Sequence, residues 1–209
     1  MGKKMSKRIT FISAIITFIS FLYKGFLGYL SKSIIIAATA LSSLSVFFCK
    51  IIYVKKLTKS RREKRHAYLL MGLILFIYGA LFLFVVISKL KGLYDIEEKV
   101  YKEWQSILLS LVIVLMMVLS IRGYKVAQDR TDIMVLGLKE VGLATALSDL
   151  IVLEGLLDDF AIGHIKEDYL NKFHYYLSLG VSGLIIIISF VMIIRFFKRT
   201  RDEKKESLK

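Results

Sequence analysis

Residues 67–88 read Ala67-Tyr68-Leu69-Leu70-Met71-Gly72-Leu73-Ile74-Leu75-Phe76-Ile77-Tyr78-Gly79-Ala80-Leu81-Phe82-Leu83-Phe84-Val85-Val86-Ile87-Ser88, 22 positions without a charged side chain. About 20 helical residues cross the roughly 30 Å hydrocarbon core of a bilayer, and a helix satisfies its backbone hydrogen bonds internally. This stretch therefore reads as a membrane-crossing helix. Its neighbours follow the same pattern. Further apolar runs occupy residues 9–27, 33–54, 104–121, 136–157 and 175–197. The run at 104–121 is short, and the one at 136–157 carries Glu140, Asp149 and Glu154. All six are continuous rather than alternating apolar and polar, which favours helices over barrel strands.

Composition agrees. The 209 residues are 56% hydrophobic, contain no proline and still carry a formal charge of +14; the mean hydropathy is +0.62. Long apolar runs in lipid with charged connections at its edges reconcile those values. The expected fold is an all-α polytopic membrane protein, with a six-helix transmembrane domain over residues 1–198 and a charged cytoplasmic tail over 199–209. Lys3, Lys4, Lys7 and Arg8 precede the first run, as in a signal peptide. No small-x-small cleavage site follows, and the run is long, so it is retained as the first crossing.

Charge orients the helices, because Lys and Arg near the ends of crossings stay cytoplasmic. Residues 1–8, 55–65, 122–139 and 195–209 hold 22 of the 31 basic residues and 6 of the 17 acidic ones. An even number of crossings puts these four segments on one side, so both termini are expected in the cytoplasm and the protein in the plasma membrane. The cluster Lys59-Ser60-Arg61-Arg62-Glu63-Lys64-Arg65 could contact nucleic acid. Between two crossings it is better explained by the topology rule and by anionic headgroups. The bilayer is thus an expected partner and nucleic acid is not.

Cys49 is the only cysteine, which excludes an intrachain disulfide and a cysteine-based metal knuckle. Tyr23, Tyr53, Tyr94, Trp104, Tyr175 and Tyr176 suit interfacial anchoring. The outer connection 158–174 holds Asp158, Asp159, Glu167, Asp168, His164 and His174. It either draws cations toward an entrance or is a solvated acidic loop.

The second run has a small, mildly polar stripe in Ala38, Ser42 and Ser45, at helical spacings of four and three. Such a stripe allows close helix packing. The stretch Gly28-Tyr29-Leu30-Ser31-Lys32-Ser33, continuing through Ala38, Thr39, Ala40, Ser42, Ser43 and Val46, resembles the second helix of the cation diffusion facilitator family. That helix reads roughly G-x-x-S-x-S-x-x-x-x-A-D-A-x-H-S-x-x-D. Gly28, Ser31, Ser33, Ala38, Ala40 and Ser43 match without a gap, whereas Ser42 and Val46 stand at the two ligand positions and Thr39 at the preceding acidic one. Leu143-Ala144-Thr145-Ala146-Leu147-Ser148-Asp149 resembles the family's fifth helix, with Asp149 at the second ligand position and Thr145 at the first. The six-crossing layout and the basic connection after the second crossing also look like the family. A counterpart of the family's cytoplasmic C-terminal domain is not expected after residue 197.

Asp149 is conspicuous without any family comparison, because an ionised Asp at mid-helix costs about 2.5–3.5 kcal/mol on insertion scales. A cation, a proton, Lys139, another buried polar group, or hydroxyls such as Ser42 and Ser45 could face it. It could equally be protonated and hydrogen-bonded between helices. Glu154 either flanks an outer vestibule or meets water at the interface, and Glu140 and Lys139 are expected at the inner edge.

The resemblance implies a homodimeric exporter that alternates access and exchanges a cytoplasmic cation for protons. Its candidate transport site is Asp149, Thr145, Ser42, Thr39 and Ser45, with Asp149 the metal-ligating group. An oxygen-only set favours a hard or monovalent cation over zinc. The alternative is a six-helix scaffold that does not transport and serves as a partner subunit, sensor or immunity-type factor. No cofactor is expected beyond the transported cation. An intramembrane enzyme is disfavoured, since His66, His164 and His174 fall at span edges or in loops and no H-E-x-x-H, G-x-S-x-G or phosphate-cradling loop occurs.

Overall fold

The computed structural model describes residues 3–30, 34–91, 132–161 and 167–206, with most of 110–125. All regular structure within them is helical: α1 (Lys3–Leu30), α2 (Ile34–Lys56), α3 (Arg61–Leu90), a short α4 (Ile113–Arg122), α5 (Ile133–Ala161) and α6 (Glu167–Glu206). By length and composition, four of the described helices, α1, α2, α3 and α6, can cross a membrane. The 29 residues of α5 are long enough, but Lys139, Glu140, Asp149 and Glu154 interrupt its apolar character. The expected crossing at 104–121 is described only in part, as α4. Ser31, Ser33, Tyr94, Trp104 and His164 lie outside the described residues.

Local chemistry sets the helix starts. Ser60 and Glu63 form a capping box before α3: the Glu63 backbone N–H donates to Ser60 Oγ at 3.4 Å and the Ser60 N–H to Glu63 Oε2 at 3.3 Å. Asp132 caps α5 by accepting from the Met134 N–H at 3.0 Å. Its other oxygen receives Lys64 Nζ at 3.0 Å, which places the starts of α3 and α5 side by side. Lys50, late in α2, donates to Ser13 Oγ, early in α1, at 2.8 Å. Arg195, late in α6, pairs with Glu140, early in α5. These contacts gather the basic segments around residues 7–8, 55–65 and 195–201 at one end of the bundle.

In the packing order, α1 lies against α2, α2 against α3 and α5, and α6 against α3 and α5. The buried face of α3 repeats at helical spacing through Tyr68, Met71, Leu75, Tyr78, Phe82 and Val86. On α3, Gly72 faces Met192 and the Ser189 carbonyl of α6, and Gly79 faces Ile185 and Ile186, where small residues let the helices approach. Ala38 and Ser42 are buried, as expected of a packing stripe, and Ser45 is half-buried. Gly28 closes the α1–α2 hairpin: a Cβ there would lie 2.7 Å from the Ala37 backbone nitrogen. The outward faces carry large exposed apolar side chains, including Ile16, Ile77, Phe84 and Ile194. A contiguous apolar surface of this extent calls for lipid or protein around it.

Candidate functional site

Among the described residues, most of the side-chain hydrogen bonds and ion pairs between helices converge on α5, whose apolar run is broken by Lys139, Glu140, Asp149 and Glu154. Near its middle, Asp149 Oδ1 forms an ion pair with Lys24 of α1, the two side chains being 19% and 17% exposed. Among the described residues no backbone contact joins α1 to α5, so the long lysine stem spans the gap. One residue earlier, Ser148 Oγ donates to the Ala144 carbonyl at 3.1 Å and lies 2.7 Å from the Tyr78 hydroxyl. With the serine proton committed to its own helix, the Tyr78 O–H is the donor between them. Tyr78 thus links α3 and α5 one residue from Asp149.

The other candidate residues lie on the two facing helices. Ser42 Oγ donates to the Thr39 carbonyl at 2.6 Å, Ser45 Oγ to the Leu41 carbonyl at 2.9 Å, and Thr145 Oγ1 to the Val141 carbonyl at 3.0 Å. These hydroxyls spend their protons within their own helices and keep lone pairs for a donor or a cation. Thr39 is fully buried, and Val46, at the family's ligand position, belongs to the apolar core. Among the described residues, no group of three or more His, Cys, Asp and Glu side chains is arranged to hold a metal ion.

Two further carboxylates flank this level, and Glu140 departs from the sequence expectation. Glu140 does not face water at the inner edge. It is 1% exposed, accepts a hydrogen bond from the Tyr68 hydroxyl at 2.8 Å, and pairs with Arg195. Close packing explains the burial: a Cβ on Gly137, one turn earlier, would sit 2.7 Å from the Tyr68 ring, so α3 and α5 meet tightly here. Toward the other end, Glu154 is 7% exposed and pairs through Oε2 with His174 Nδ1 of α6. It is a buried partner rather than a water-facing carboxylate.

Sequence reasoning missed Lys24 as the counter-ion of Asp149. It also missed Lys50, whose ammonium is held by the Ser13 carbonyl at 3.2 Å and by the hydroxyls of Ser13 and Thr17. A signal was present, since each is a lone cation inside an apolar run, and such residues in lipid face a partner or a polar cavity. Compared with protein-family models, curated proteins and solved structures, the chain matches none.

Proposed function

We propose that the chain is an integral plasma-membrane protein, crossing six times with its termini in the cytoplasm, that exports a hard or monovalent cation in exchange for protons. On this reading it is a divergent, homodimeric relative of the cation diffusion facilitators. The carrying observation is the partly buried Lys24–Asp149 pair at the mid-depth of α5. Ionisable residues at that depth mark ion and proton pathways more often than they stabilise a fold. The Lys24 ammonium stands where a transported cation would bind. A cation entering beside Asp149 would find the oxygens of Ser42, Thr145 and Thr39 on the neighbouring turns. Lys24 lies less than two turns from the end of α1 and can extend its ammonium to the interface when displaced. Exchanging one cationic partner of Asp149 for another avoids leaving a bare carboxylate in the bilayer, which suits repeated turnover.

A second reading has its own support. All three acidic residues within the 136–157 run of α5 already face a basic side chain: Arg195, Lys24 and His174. A scaffold whose carboxylates are paired in this way would serve as a non-transporting partner subunit or sensor. Cation flux into proteoliposomes separates the two. The transport reading expects monovalent-cation uptake driven by a proton gradient in the wild type and its loss in Asp149→Asn. Equal flux in both, or no flux with any cation, favours the scaffold.

A further inference from the structure

The turn between α2 and α3 holds a cleft of about 410 Å³ that the transport reading leaves unused. Its floor is apolar, formed by Ile52 of α2 with Ala67 and Leu70 of α3. Its rim is cationic, with Lys55, Lys56 and Arg62 set around Glu63 and His66. Glu63 is engaged by Lys56 at 3.1 Å. Lys55 and Arg62 are exposed and form no ion pair among the described residues. The cleft lies at the basic end of the bundle, where the uncharged run of α3 begins, which is headgroup depth. From its floor an exposed apolar strip, Leu70, Leu73 and Ile77, runs along α3 at helical spacing.

We infer that this cleft binds an anionic phospholipid, with its phosphate-bearing headgroup between Lys55 and Arg62 and an acyl chain along Leu70, Leu73 and Ile77. Charge complementarity selects the headgroup. A basic segment beside a crossing attracts anionic lipid diffusely, but a cleft that joins a cationic rim to an apolar strip fixes one molecule. The site goes beyond the transport proposal and requires only that this end of the bundle meet a membrane surface. A free phosphate shares the headgroup chemistry but lacks the chain, and the strip argues for the lipid.

The test is native mass spectrometry of the full chain in detergent, titrated with phosphatidylglycerol, phosphatidylcholine or sodium phosphate. Lys55→Gln/Arg62→Gln is compared with Lys59→Gln/Arg61→Gln, which removes the same charge from the same connection outside the cleft. Both exchanges leave Ser60 and Glu63 in place. Phosphatidylglycerol should bind the wild type at least about tenfold more tightly than phosphatidylcholine. The cleft exchange should weaken it roughly 30-fold, the effect of two near-surface cations, and the control no more than about threefold. Equal losses in the two variants would mean diffuse attraction, and equal binding of the two lipids a site blind to charge. Displacement of the lipid by millimolar phosphate would mean a soluble-anion site. Each of these results would overturn the inference.

Discussion

Arg195→Gln should destabilise the bundle more than Glu140→Gln, although the two side chains pair with each other. The difference lies in their surroundings. The Glu140 side chain is 2% exposed and that of Arg195 34%. In Glu140→Gln the new amide can still accept from the Tyr68 hydroxyl, and the orphaned guanidinium can turn toward water or headgroups. The cost is about 1 kcal/mol, that of one hydrogen bond. Arg195→Gln leaves a buried carboxylate without its ion-pair partner, and removing one partner of a buried pair costs about 3 kcal/mol or more. In the double variant the two amides can bond to each other, so the total should stay near 2 kcal/mol, a coupling of about −2 kcal/mol. Cys49 is the sole cysteine and fully buried, so its reaction with a maleimide during titration with a denaturing detergent reports unfolding directly. If Arg195→Gln proves no worse than Glu140→Gln, or the two effects add to within about 0.5 kcal/mol, this contact does not hold α5 to α6.

Three further outcomes follow from the packing. Gly137→Ala would drive a methyl against the Tyr68 ring, which cannot swing aside while its hydroxyl holds Glu140. The same assay should show a loss of about 1–3 kcal/mol, the usual range for overpacking. Gly28→Val would force the ends of α1 and α2 apart against the Ala37 backbone, and should lower the yield of monodisperse protein in detergent far more than Gly25→Val, since nothing lies within 4 Å of the Cβ position at Gly25. Ser60→Ala removes one half of the capping box and should cost about 1 kcal/mol, read as faster amide exchange over the first turn of α3.

The apolar runs were legible because length and hydropathy alone define a crossing, and α1, α2, α3 and α6 follow from them. The packing stripe of Ala38 and Ser42 was legible for the same reason, since spacing determines which residues share a helix face. The pairings were not, because periodicity orients a helix without naming its neighbour. Lys24 and Asp149 lie 125 positions apart and meet only because α2 holds α1 near α5. Glu140 was misplaced because counting from the end of an apolar run puts it at the edge. The helix itself begins at Ile133, and Tyr68 and Arg195 close over the carboxylate from two other helices. The capping box at Ser60 and Glu63 is legible in its spacing of three.

If Lys24 takes the place of a transported cation at Asp149, Lys24→Gln should free the site for its cargo. Rubidium exchange across proteoliposomes should reach half its maximal rate at a concentration at least about tenfold lower in Lys24→Gln than in the wild type, because a tethered competitor worth about 1.4 kcal/mol or more has been removed. The combined Lys24→Gln/Asp149→Asn protein should exchange none. If Lys24→Gln instead abolishes exchange, or leaves its concentration dependence unchanged, the lysine is no surrogate for the cargo and the account of the site is wrong.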